Sequence, residues 1–308
     1  MVFAYDGSMH RFNKNALQQG FTLIELSIVL VIIGLIVGGV LVGRDLINAA
    51  TVRSQISQIE KYNVAANTFK GKYGYLPGDI NASAAAQFGF TARGTGAGEG
   101  DGNGIISGDL SLFNEAAGEE VMFWTDLTYA NGLKINMIDG TFTAAVPTPG
   151  PSTITGNTLN AYFPTAKMGN GNYVYVTTGG QACFTCASDG FNYFGVAVIV
   201  EVDSGSPGGF NTNPGMTVQQ AYGIDKKIDD GLPQTGGVMA QYLHTNSGGS
   251  GFQWAAGGGG TGTADTSSTA GTSTTCYDNN SSAGAIQQYS VKQSGGTNVN
   301  CALSFRFQ

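Results

Sequence analysis

Histidine is nearly missing from this chain of 308 residues: there are two, His10 and His244. His10 lies ahead of the main body, so the body has one imidazole. That excludes most triads and His-ligated zinc hydrolases, which need several well-placed groups. No Gly-x-x-x-x-Gly-Lys-[Ser/Thr] occurs. Gly-rich runs such as Gly257–Gly260 lack the strand-to-helix setting of a phosphate loop. Catalysis is therefore not expected. Charge is also scarce, at 11% of residues, and the net charge is −7. The 14 Lys and Arg are scattered, which argues against a nucleic-acid-binding body built on a basic patch. Cysteine is absent before Cys183. Proline is absent from residues 21–72, where it would break a helix.

What is present begins with 48 glycines among many Ser, Thr and Asn. This suits a β-rich, loop-heavy body outside the cytoplasm. One apolar stretch stands apart, from Phe21 to Gly43, broken by Thr22, Ser27 and Glu25. As a helix it is long enough to cross a hydrocarbon core of about 30 Å. A carboxylate inside such a helix is costly unless something uses it. Arg11 and Lys14 precede the stretch, and place residues 1–20 on the cytoplasmic side. The apolar run starts after residue 20, unlike a secretory signal peptide removed whole. Met9 offers a second start within that segment. Beyond Gly43 the pattern changes. Ile47, Val52, Ile56, Ile59, Tyr62, Ala66 and Phe69 recur at roughly helical spacing, which predicts an amphipathic continuation to about Lys72. Gly74 and Pro77-Gly78 end it. Gly34, Gly38, Gly39 and Gly43 are soft points that also permit close helix approach.

Gly20-Phe21-Thr22-Leu23-Ile24-Glu25-Leu26 resembles the processing site of type IV pilins and of type II secretion pseudopilins. The resemblance implies that a prepilin peptidase cuts between Gly20 and Phe21 and methylates the new terminus. It makes Glu25 the acidic residue of filament assembly, paired with the α-amino group of Phe21 in an adjoining subunit. It implies an α+β fold, a long N-terminal helical spine packed on an antiparallel β-sheet head. Residues 1–20 are then a leader, 21–43 the transmembrane and assembly half, 44–73 the amphipathic half, and 74–308 a periplasmic or extracellular head. Removing Asp6, Arg11 and Lys14 with the leader takes the net charge from −7 to −8. The partners implied are other pilin or pseudopilin subunits, the prepilin peptidase, an inner-membrane assembly platform, and the lipid bilayer before assembly. Nucleic acid is not expected. A minor subunit acting in initiation, secretion or adhesion is the alternative within the family. A membrane-anchored enzyme or binding protein that never polymerises is the alternative outside it.

In the head, residues 114–131 and 217–230 read as helices, the second with Thr217 as N-cap. Strands are expected at 173–177, 193–202, 286–292 and 302–307. Residues 74–112 are turn-rich, and residues 245–275 form a Gly/Ser/Thr-rich tract read as a surface loop. The even cysteine count of an exported chain favours disulfides, Cys276–Cys301 and Cys183–Cys186. The rival is a four-thiolate zinc site, for which the second pair is too widely split. Around Asp101-Gly102-Asn103-Gly104, residues Glu99, Asp101 and Asn103 fall at calcium-loop spacing. Leu110 stands where a bidentate Glu belongs, so Asp109 or Glu115 would have to substitute. A polar Gly-rich turn is the preferred reading, with calcium as its rival. Asp225, Asp229 and Asp230 form a second acidic cluster, read as a solvated helix end. No other cofactor is expected.

Overall fold

The computed structural model describes residues 21–109, 114–130, 132–146, 153–178, 190–203, 209–246, 249–255 and 268–308. The chain divides into two compact units, residues 1–47 and 48–308. Helix α1, Leu23–Tyr73, runs through the boundary. In the first unit its apolar side chains are exposed: Leu23, Leu30, Leu35 and Leu41 among them. It is the one helix among the described residues long and apolar enough to cross a membrane.

In the second unit α1 is amphipathic as its spacing predicts. Val52, Ile59, Tyr62, Ala66 and Phe69 are buried. Two glutamines share that face. Gln58 Oε1 accepts from the Lys167 amide at 2.9 Å, and its Nε2 donates to the Thr165 carbonyl at 2.9 Å. Gln55 Oε1 accepts from the Met168 amide at 3.0 Å. Their buried amides thus satisfy backbone groups of the loop at residues 165–168, which also bridges to the next strand at Thr165 and Tyr173.

The main sheet is antiparallel and centred on one long strand. In chain order its strands are β1 (Thr153–Thr155), β2 (Asn172–Thr178), β3 (Asn192–Asp203), β4 (Phe210–Asn213) and β5 (Val238–Met239). Two strands of a small hairpin follow, β6 (Tyr277–Asp278) and β7 (Gln288–Tyr289), and β8 (Leu303–Arg306) returns to the sheet. β2 and β8 flank the first half of β3, and β1 and β4 its second half. β3 is accordingly buried along most of its length, and reads in sequence as a near-continuous apolar run.

Between α1 and the sheet lies α3, Glu119–Thr128, with all ten residues buried. Trp124 packs edge-on to Tyr62 of α1 at 5.0 Å and lies 6.3 Å from Phe194 of β3. Phe194 stacks on Phe307 at 4.1 Å. This aromatic seam joins helix, helix and sheet, each pair contributing about 0.5–1.5 kcal/mol beyond area burial.

Three local expectations are corrected. Residues 114–131 are not one helix: Asn114–Gly118 is a strand, and α3 starts only at Glu119. Gly118 has φ +88°, a left-handed conformation that no helix can pass through. The turn-rich stretch holds a short helix, α2 (Ala82–Phe88), capped by Asn81 and stopped at Gly89. The Gly/Ser/Thr tract holds an antiparallel hairpin, Gln241–Asn246 with Gly249–Trp254. The helix expected over 217–230 is α4, Val218–Ile228, closed by a Thr217/Gln220 capping box.

Candidate functional site

At the start of α1, Thr22 and Glu25 bind each other. The Thr22 amide and hydroxyl both donate to Glu25 Oε2, at 2.7 and 2.8 Å. The Glu25 amide reaches Thr22 Oγ1 at 3.3 Å. This is a capping box: Thr22 precedes the helix, Glu25 is its third residue, and each satisfies the other's free N–H. The carboxylate also sits at the positive end of the helix dipole. Only Oε2 is used, and Oε1 has no hydrogen-bond partner among the described residues. Phe21 is 84% exposed. Gly20 lies outside the described residues.

A family model described as the prokaryotic N-terminal methylation motif matches residues 15–41. The chain carries the motif typical of type IV pilins and pseudopilins. The matched span holds Gly20, Phe21, Thr22 and Glu25 together with the apolar half of α1. No curated protein and no solved structure matches the chain. Pilin-like architecture is borne out in the fold as well, with a long N-terminal helix and an antiparallel sheet. The motif and the exposed apolar half of α1 thus occupy the same segment of the chain.

In the head, the structure brings Asp101 together with Asp79 and Glu119, one carboxylate oxygen of each lying within 4.8 Å of the others. The loop of residues 100–107 wraps the two buried members. Glu119 accepts from the amides of Gly100, Asp101 and Ser107, at 3.0, 3.3 and 3.0 Å. Asp79 accepts from those of Gly102, Asn103 and Gly104, at 2.7, 3.1 and 2.8 Å. Burial pushes the Asp79 carboxyl up to about 6 against the pull of these amides. Burial, and then the charge of Asp79, push Glu119 well above the carboxylate range. Six backbone donors explain why two acids can be buried side by side.

Of the candidate calcium ligands Glu99, Asp101, Asn103 and Asp109, Asp101 joins this cluster. Asn103 instead makes local turns: its amide and Nδ2 donate to the Asp101 carboxylate, and its Oδ1 accepts from the Ile105 amide. Glu99 turns to the Gly96 amide. Asp109 ends a short ladder opposite Asn114. The loop is thus folded around Asp79 and Glu119, two residues that spacing could not connect to it. Only the buried position of Leu76-Pro77-Gly78-Asp79 against α3 reveals the pairing. Nothing in this arrangement requires an ion, since the loop amides already serve the buried oxygens.

The second acidic group, Asp225, Asp229 and Asp230, likewise converges. Asp225 is buried, accepts from Tyr289 Oη at 2.8 Å and from the Gly231 amide at 3.1 Å. Burial pushes it up to about 7. Asp229 takes the amides of Gly237 and Val238, and Asp230 those of Leu232 and the Thr235 hydroxyl. This end of α4 is a loop anchor, so the expectation of a solvated helix end is revised for Asp225. Cys276 and Cys301 form a disulfide, with Cα atoms 5.1 Å apart. Cys183 and Cys186 lie outside the described residues.

Proposed function

We propose that the protein is a structural subunit of a type IV pilus-like or type II secretion pseudopilus filament. One observation carries the reading. Gly20-Phe21-Thr22-Leu23-Ile24-Glu25 opens a helix whose large apolar side chains from Leu23 to Val42 are all at least half exposed. An apolar surface of that extent needs lipid or protein to cover it. In this reading a prepilin peptidase cuts after Gly20 and methylates Phe21. The helix then holds the subunit in the bacterial inner membrane with its head in the periplasm. An assembly platform moves it from lipid into a helical bundle of subunits, and so to a periplasmic or surface filament. The Glu25 Oε1 left open by the capping box receives the Phe21 ammonium of a neighbour. In a low dielectric that pair attracts strongly, and either charge alone is costly.

Two variants test it. Gly20→Ala should leave the leader attached, seen as an unprocessed mass of the N-terminus. Glu25→Ala should be processed normally yet leave sheared surface material without filaments by electron microscopy. Normal filaments from Glu25→Ala would sink the proposal. A minor subunit is the second reading, favoured by the long Gly/Ser/Thr-rich tract at 245–275. It expects the chain at trace abundance in sheared filaments, whereas a major subunit would dominate them.

A further inference from the structure

A cleft of about 460 Å³ opens between α4 and the β6–β7 hairpin. That volume falls within the about 300–1,000 Å³ usual for small-molecule sites. The acidic loop at Asp79 is filled by its own backbone, but this cleft is open and its walls are held from behind. Tyr289 donates its hydroxyl to the buried Asp225, which fixes the ring. Tyr222 leans on Tyr289 with ring centres 5.9 Å apart. On the far side, Asp278 is braced by the Ser290 hydroxyl and the Asn280 amide. The Cys276–Cys301 bridge ties that wall down one residue before β6. A site with an ordered back and fixed walls loses little entropy on binding.

The lining chemistry selects the ligand. Its charged side chains are Lys226, Lys292, Asp230 and Asp278, two of each sign. The cleft is therefore close to neutral inside a protein of net charge −7, and offers no field for a strongly charged ligand. Asp278 is already satisfied within the chain, and Lys226 lies over the Tyr222 ring and donates to its hydroxyl. The carboxamides of Asn280 and Gln288 line the cleft from exposed positions and carry no side-chain bond to the described chain. Asn280 holds φ +52°, a conformation costly for most residues but tolerated by Asn. Planar amide groups each present a donor and an acceptor side by side, which matches the adjacent hydroxyls of a polyol. The half-buried Tyr222 adds apolar surface at the cleft for the C–H face of a ring, with the buried Tyr289, its hydroxyl committed to Asp225, as the backing behind it.

We infer that this cleft binds a neutral saccharide of one or two rings, through the Asn280 and Gln288 carboxamides and the Tyr222–Tyr289 wall. The inference does not depend on filament assembly, and concerns the head whatever the helix does. The test uses the full chain in nanodiscs, because sugar-headed detergents would compete. Glucose, galactose, N-acetylglucosamine and lactose are titrated by calorimetry, beside glucuronate and N-acetylneuraminate as anionic probes. At least one neutral sugar should bind, and more tightly than either anionic probe. Asn280→Gly with Gln288→Ala removes both carboxamides at exposed positions, and the glycine accepts the positive φ. This pair should weaken binding about tenfold or more without altering the melting temperature by more than a few degrees. Absence of binding by all four neutral sugars overturns the inference. So does preference for an anionic probe, or affinity unchanged in the double variant.

Discussion

Glu25 closes the start of α1, and in the proposed filament the same carboxylate would take a neighbour's ammonium. Alone, its carboxylate closes a capping box with Thr22 through Oε2. Thr22→Val removes the hydroxyl donor to that oxygen and the acceptor for the Glu25 amide, and leaves the backbone amide bond in place. The helix start should weaken by about 1 kcal/mol, seen as faster hydrogen exchange at residues 23–26 in nanodiscs, with Thr22→Ser restoring protection. Elsewhere a single buried cation matters in the same way. Arg93 Nη2 holds both oxygens of Asp126, with both side chains essentially inaccessible. Asp126 also accepts from the Gly78 amide at 2.7 Å. Arg93→Met leaves that carboxylate buried without its partner, and should cost about 3–5 kcal/mol in denaturant unfolding. Adding Asp126→Leu should recover part of the loss but not all, because the Gly78 amide is then orphaned. Spacing could not pair residues 33 positions apart; their meeting is a product of packing.

Among the elements, α1 was the most legible. A membrane-length apolar run and apolar steps of 3 to 5 residues each follow from helix geometry, and the structure places α1 at Leu23–Tyr73 accordingly. Helix α3 was legible in its apolar face but not in its start. Its boundary depends on the Gly118 backbone and on the Glu119 amide, which is donated to the Gly98 and Ser107 carbonyls. Helix α2 was missed because its seven residues are Ala, Ser and Gln apart from a terminal Phe88, and carry little apolar rhythm. The turn before it is bound to α3. Gly78 has φ +84°, and a Cβ there would lie 2.4 Å from the Glu119 carbonyl oxygen. Gly78→Ala should therefore cost about 2 kcal/mol or more, with the melting temperature as readout. A melt unchanged from the parent would show that the turn can shift away from α3.

At the scale of the whole molecule, three buried acids link stability to pH. Asp79 is pushed up to about 6, Asp225 to about 7, and Glu119 is raised further by the Asp79 charge. Each binds its proton more tightly folded than unfolded. Their contribution is full below the ordinary carboxylate range and is lost as pH rises through 6 to 7. The melting temperature should therefore fall as pH is raised from about 5 to about 8. Asp79→Asn with Asp225→Asn should flatten that slope; a parent melting temperature that climbs over the same range would contradict the assignment. The disulfide acts on the same scale from the unfolded side. It closes a loop of 25 residues, and Cys276→Ser with Cys301→Ser should lose about 3 kcal/mol.

By itself the sequence determined the N-terminal motif, the long two-part helix, the principal strands and the α+β class. Motif, helix and strands rest on short-range chemistry, namely period, caps and residue order along one segment, while the α+β class followed from the resemblance the motif carries. The even cysteine count favoured disulfides, and the structure pairs Cys276 with Cys301. Only the tertiary structure decided that Asp79 and Glu119 anchor the loop at residue 100. The same holds for Gln55 and Gln58, which bind a loop more than a hundred residues away, and for the cleft behind Tyr289. Buried polar groups must find partners wherever the backbone brings them, and that placement is set by how the sheet and helices pack, not by spacing along the chain.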